Sequence, residues 1–205
     1  MQHQTSGFYG LGIAPALMEI LQRLHFRTPT PIQTQAIPVA IEGKDLVGIA
    51  QTGTGKTLAF GVPMIQRLAQ AKVQGLVVLP TRELALQVDE MLRQIGQGLG
   101  LRTAVLIGGT AIGPQVEAIR KHPHIIIATP GRHNDHLHQK TKGLDRPKRQ
   151  AFAGGKAVVH YIHFRVRAFQ CGALELHGCN HQRFVGDLRA VNLARRRTAH
   201  EVRFG

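Results

Sequence analysis

Ala50-Gln51-Thr52-Gly53-Thr54-Gly55-Lys56-Thr57 is the segment whose residue types could do chemistry most directly. Two glycines separated by one threonine let the backbone coil tightly and aim several N–H groups at one anion, with no Cβ in the way. The lysine after them can reach β- and γ-phosphates, and the next threonine offers a hydroxyl to Mg²⁺. An apolar run suited to a strand precedes the loop and a helical pattern follows it, so a helix N-terminus favours the same anion. The competing reading is a glycine-rich turn beside a surface lysine; it gives no reason for strand, loop and helix to coincide. Nucleotide binding is expected, with Thr52, Gly53, Thr54, Gly55, Lys56 and Thr57 around the phosphates and Thr57 as the Mg²⁺ ligand.

Three other segments offer a different chemistry. Pro80-Thr81-Arg82-Glu83-Leu84-Ala85 stands at the end of an apolar run and opens a helical pattern. A helix start with a threonine hydroxyl and a guanidinium suits a nucleic-acid phosphate. Gly108-Gly109 and Thr129-Pro130-Gly131-Arg132 follow two further apolar runs and supply exposed amides, a hydroxyl and a second guanidinium. Taken singly, each could equally be a plain strand-to-helix turn. The only adjacent Asp-Glu pair, Asp89-Glu90, falls inside an amphipathic pattern rather than after a strand, so it is not expected to hold metal.

These segments need a scaffold that brings them together. Apolar runs at Asp45–Ala50, Leu76–Leu79, Ala104–Ile107 and Ile125–Ala128 have the length and branching of buried parallel strands. Arg82–Leu99 reads as a helix with Leu84, Val88, Met91, Leu92 and Ile95 on one face, and Pro114–Lys121 as a shorter one. Strand–helix alternation with short connections predicts an α/β fold with a parallel sheet covered on both faces. Such a sheet gathers its ligands at the carboxyl ends of its strands, where all these loops fall.

In order and form, these four segments and a fifth upstream of them resemble the motifs of DEAD-box RNA helicases over about residues 8–145. The loop has that family's Ala-x-Thr-Gly-x-Gly-Lys-Thr form. Phe26-Arg27-Thr28-Pro29-Thr30-Pro31-Ile32-Gln33 resembles its adenine-reading Q motif, placed at residues 6–34, with Phe8 as the isolated upstream aromatic. The amide of Gln33 can donate and accept at once, as an adenine edge requires, and aromatic faces can pack the base. The resemblance implies a RecA-like P-loop domain over 1–145 and sequence-nonspecific contacts to RNA. Those contacts would come from Pro80, Thr81, Arg82, Gly108, Gly109, Thr129, Pro130, Gly131 and Arg132. Two departures stand inside the motifs: His25 where the family has glycine, and His133 where it has an aliphatic.

Beyond Asp145 the resemblance stops. The family's Asp-Glu-Ala-Asp motif is expected about two dozen residues past Thr129–Arg132, where this chain has Gln150-Ala151-Phe152-Ala153-Gly154-Gly155, without a carboxylate. The Ser-Ala-Thr motif is missing too, because Ser6 is the sole serine. No catalytic residue is therefore identified, and the second RecA-like domain with its arginine fingers is expected to be lacking. ATP binding with little turnover is expected, and the sheet is expected to lack a central piece unless a strand at Ala157–Val166 fills it. The alternatives are an ATP-independent basic RNA-binding module and a non-functional fragment.

Charge marks the same boundary. Residues 1–145 hold 14 Lys and Arg against 9 Asp and Glu, whereas 146–205 hold 12 against 3, within a net charge of +14. An excess of that size favours polyanionic partners. The tail at 146–205 reads as a frameshifted or rearranged replacement, or else as a divergent extension. Cys171, His177, Cys179 and His181 lack the usual zinc spacing, and Arg195-Arg196-Arg197 reads as a solvated cluster. Two cysteines, no signal peptide and no run of membrane-spanning length favour a cytoplasmic protein.

Overall fold

Alternating branched residues build a sheet that is apolar on both faces. The computed structural model describes residues 7–44, 46–71, 73–144, 150–154, 164–170 and 200–203. The first four strands are β1 (Leu46–Ala50), β2 (Gln74–Val78), β3 (Thr103–Leu106) and β4 (Ile125–Ala128). β4 coincides with its expected run, β2 starts two residues early, and β3 is shifted by one. The helices are α1 (Pro15–Arg23), α2 (Pro31–Ile41), α3 (Lys56–Gln70), α4 (Arg82–Gly96), α5 (Ile112–Arg120) and α6 (Pro130–His138). A 3₁₀ turn at 97–99 completes the helical stretch expected over Arg82–Leu99.

Side-chain period two divides the core. Val77, Ile125 and Ile127 join the larger apolar cluster with Leu58, Val62 and Ile65 of α3 and Val88, Leu92 and Ile95 of α4. Leu76, Val78, Ile126 and Ala128 point the other way, onto Leu106, Ile119 of α5 and Leu144. The shared strands therefore separate α3 and α4 from α5, giving the expected two-sided cover. Within α4, Leu84 and Met91 only flank the core, while Ala85 and Asp89 take deeper positions. Asp89 is 4% exposed, accepts a hydrogen bond from the Thr103 hydroxyl and pairs with Arg93 at 2.8 Å. Its carboxylate thus ties α4 to β3.

Strand order among the described residues is β3-β4-β2-β5-β6-β1-β7, with every neighbouring pair parallel. The three added strands are β5 (Gln150–Gly154), β6 (Phe164–Gln170) and β7 (His200–Arg203). They correct the expectation of a missing centre. β5 pairs with β2 and β6, and β6 pairs with β1, so backbone hydrogen bonding runs unbroken across the sheet. The expected strand at Ala157–Val166 overlaps β6 only at Phe164–Val166; its earlier part lies outside the described residues. So do the candidate zinc ligands and the arginine triplet of the tail. Among the described residues, no helix is long and apolar enough to cross a membrane.

Candidate nucleotide and nucleic-acid site

Parallel strands put all their carboxyl ends on one edge, and two groups of loops meet there. One follows β1. The other follows β2, β3 and β4. Three strand spacings separate β1 from β2, so the groups lie about 14 Å apart along the edge.

At the β1 end the chain leaves the strand at Ala50 and enters α3 at Lys56. Gly53 and Gly55 adopt φ of 84° and 83°, the left-handed region that a side chain disfavours. The turn keeps its shape with help from within, as the Thr54 hydroxyl donates to the Gln51 carbonyl at 2.8 Å. The Lys56 ammonium folds back onto the carbonyl of Ala50 at 2.6 Å and also onto that of Gln51. Partial burial there pulls its pKa below the ordinary lysine value. A phosphate offering charged oxygens would compete for this ammonium, because charge-assisted hydrogen bonds outweigh neutral ones. Thr57 stands in the first turn of α3, half-buried.

The Gln33 segment is tied to this loop. Thr30 precedes α2, and its hydroxyl donates to the Thr54 carbonyl at 2.8 Å. Gln33, 5% exposed, accepts from the Thr30 N–H at 2.9 Å and donates to the Gly55 carbonyl at 3.1 Å. One amide N–H and one lone pair of Gln33 remain for another group. The aromatics fare differently. Phe8 is 3% exposed and belongs to the main core, and Phe26 packs against that core part-buried. Gly7, at φ 100°, backs onto the Arg27 carbonyl, so the upstream segment and the Gln33 segment do adjoin.

The second group is knit by its two arginines. Thr81 caps α4, its hydroxyl accepting from the Leu84 N–H at 3.2 Å. Arg82 Nη1 donates to the Gly108 carbonyl at 2.9 Å, and Arg132 Nη1 to the Thr110 carbonyl at 3.0 Å. Gly109 lies between them at φ 74°. Pro80, Thr81, Arg82, Gly109 and Gly131 are exposed, while Gly108, Thr129, Pro130 and Arg132 are half-buried. Arg82 thus keeps donors facing solvent, whereas the Arg132 side chain is mostly covered and also pairs with Asp135 at 3.4 Å. This edge carries exposed amides and a guanidinium, the donors an anionic chain would need.

Beneath it lies a buried polar cluster that sequence reasoning missed. Gln115 Nε2 donates to the Ile107 carbonyl at 3.0 Å and the Thr110 hydroxyl at 2.7 Å. Its Oε1 faces His136 Nε2 at 3.2 Å, and His136 Nδ1 faces the Thr141 hydroxyl at the same distance. Burial, and then the Arg132 charge, lower the His136 pKa, and the Asp135 carboxylate only partly opposes them. His133 is 8% exposed with Nδ1 unpartnered, and burial followed by the neighbouring His136 lowers its pKa to about 4. Thr30 was missed as well, although Thr30–Gln33 has the Thr-x-x-Gln spacing of a helix capping box.

The sequence and the fold have counterparts among known proteins. The family model described as DEAD/DEAH box helicase matches residues 30–152. The ATP-dependent rRNA helicase RRP3 of Yarrowia lipolytica is 47% identical over 145 residues, covering 70% of this chain and 30% of that protein. The DEAD-box ATP-dependent RNA helicase CshA of Bacillus cereus is 48% identical over 139 residues, covering 67% of this chain and 26% of that one. The chain therefore spans about three tenths of the length of the curated relatives it matches. A crystal structure of a DEAD box protein from Methanococcus jannaschii has the same fold, with a TM-score of 0.73 at 23% identity. That alignment covers 97% of this chain and 56% of that one. With a matching family model over most of its described residues, the chain belongs to the DEAD/DEAH box helicases.

Proposed function

We propose that this chain is the ATP- and RNA-binding half of a DEAD-box RNA helicase, and that it binds ATP with little or no hydrolysis. The observation that carries the reading is the loop after β1. Its glycines at positive φ, its lysine at the start of α3 and the grip of Gln33 on Gly55 form a phosphate cradle joined to a base-facing amide. The amides of Gly53, Thr54 and Gly55 would wrap the phosphates, Lys56 would leave its own carbonyls to neutralise them, and Gln33 would face the base. Among the described residues no cluster of three or more His, Cys, Asp or Glu could hold a metal. Mg²⁺ would arrive with the nucleotide, taking phosphate oxygens, waters and the Thr57 hydroxyl. Bound Mg·ATP would supply the triphosphate and the cation; the protein supplies position and charge.

RNA would lie along the β2–β3–β4 edge, held at its phosphates and sugars by Thr81, Arg82, Gly109, Gly131 and the amides around them. Contacts of this kind carry no sequence preference. Weak turnover follows from composition, because Gln150–Gly154 brings no carboxylate to the centre of the sheet. Phosphoryl transfer depends on placed water and stabilised charge, and an arginine finger alone contributes roughly 10³–10⁵ in rate. A cytoplasmic setting fits the same reading.

The test is steady-state phosphate release with and without single-stranded RNA. Release no faster than that of Lys56→Ala is expected. RNA-stimulated release well above that control would contradict the silent reading.

A further inference from the structure

The candidate RNA edge is shaped by the loop Gly108–Thr110, whose two outer carbonyls receive Arg82 and Arg132. Both of those bonds are exposed to solvent. The loop's support comes from below, through one buried amide.

Proton positions follow from the partners. Gln115 Nε2 lies beside the Ile107 and Ala111 carbonyls, at 3.0 and 3.4 Å, and must be the NH₂ end. Its Oε1 can then only accept, so His136 Nε2 carries the hydrogen that faces it. A neutral His136 must accept at Nδ1, which makes the Thr141 hydroxyl its donor. The chain of donors runs Thr141, His136, Gln115 and Thr110 and ends on the Ile107 carbonyl as acceptor, each member aligned by the one before. Gln115 and His136 are buried, so the bond between them and those to Ile107 and Thr141 lie where a lost partner is not replaced by water.

We propose that Gln115 and His136 are positioning residues for RNA binding, a relay that holds Gly108–Thr110 in the form that Arg82 and Arg132 clasp. Neither side chain touches RNA; both act through the loop. His136 also sits one turn beyond Arg132 on α6, so the same relay fixes the base of the second arginine. The charged groups acting on His136 are Arg132 and Asp135 of its own helix. From α5 it meets the neutral amide of Gln115, from the segment after α6 the Thr141 hydroxyl, and beside it the neutral His133. The proposal rests on the reading of this edge as the RNA site.

The experiment measures binding of a fluorescent oligouridine and, separately, of a fluorescent ATP analogue to the full chain. Gln115→Leu and His136→Phe keep volume but break the relay, and each is expected to weaken oligouridine binding about tenfold, the worth of one buried hydrogen bond. ATP-analogue affinity should stay within about twofold, which also reports that the variants fold. His136→Gln restores a donor at the Nε2 position and should bind oligouridine within about threefold of the parent. A role in packing alone gives the reverse order, with Phe tolerated and Gln not. Equal loss of both ligands in Gln115→Leu and His136→Phe, or unchanged oligouridine affinity in both, overturns the relay. An unsubstituted chain that binds no oligouridine overturns the functional reading and the relay with it.

Discussion

At the β1 end, the loop is held from the side: Thr30 and Gln33 reach across from α2 to the carbonyls of Thr54 and Gly55. At the β2–β4 end, the loop Gly108–Thr110 is held from above by two arginines and from below by Gln115. In the first arrangement the charged side chain, Lys56, rests on its own backbone carbonyls. Such a loop can exchange those internal partners for an incoming phosphate. The second rests on the buried bond from Gln115, which water cannot replace, so it can present a fixed surface to a long, featureless polyanion. Exchange suits a small ligand that must come and go, and rigidity suits contacts that read only a backbone.

The largest expected effect breaks the first region and spares the second. Gly55→Ala forces a side chain into the left-handed region and into the Gln33 amide. The backbone term alone costs about 1–2 kcal/mol. ATP-analogue binding should fall by more than about tenfold in a fluorescence titration. Oligouridine affinity without nucleotide should hold. Parallel losses of both ligands would show the two ends to be one structural unit.

Acid sharpens the comparison from the other side. His133 titrates normally when unfolded but near 4 in the fold, so between about 6.5 and 4 the unfolded chain binds more protons. Its share of stability is complete above that window and is lost as pH falls through it, roughly 3 kcal/mol at most. His136 acts in the same direction. Urea unfolding at pH 7 and pH 5 should therefore show a weaker fold in acid. His133→Leu should flatten the slope and add about 1 kcal/mol at pH 7, since it removes an unpartnered buried nitrogen. A slope that His133→Leu leaves intact would assign the titration elsewhere.

The smallest effect concerns His25, which follows α1 at φ 61°. Its N–H and that of Phe26 close the helix end onto the carbonyls of Gln22 and Leu21, a turn that favours glycine. His25→Gly should raise stability by about 1 kcal/mol in the same urea measurement. Both departures from the family pattern thus fall where the structure carries a local cost, a strained backbone at His25 and an unpartnered nitrogen at His133.

Much of this was legible in the sequence. Ile125–Ala128 and the Arg82–Leu99 stretch showed themselves because branched runs and a 3.6 period report burial directly. Thr81, Arg82, Gly108 and Arg132 lie just after strands, where the resemblance put them, and Gly53 and Gly55 have the positive φ that a phosphate loop needs. α1 was missed although Leu17, Met18, Ile20 and Leu21 share its buried face. α2 hides its period because Pro38 and a mostly apolar sequence leave little contrast between faces. β5 was read only as a place without a carboxylate, since Gln150–Gly154 has little strand propensity and its pairing is set by β2 and β6. The relay was invisible for another reason. Thr110, Gln115, His136 and Thr141 are polar residues at no telling spacing, brought together only when α5 and α6 pack beneath the β3 loop.

The central claim is that the loop after β1 is a built nucleotide site, and thermal unfolding with and without Mg·ATP tests it most directly. Ligand at a hundred times its Kd adds about 2.7 kcal/mol, a rise of several degrees for a domain of this size. One cooperative transition, raised by Mg·ATP in the parent chain and unmoved in Lys56→Ala, is expected. No cooperative transition, or one indifferent to Mg·ATP in the parent, would contradict it.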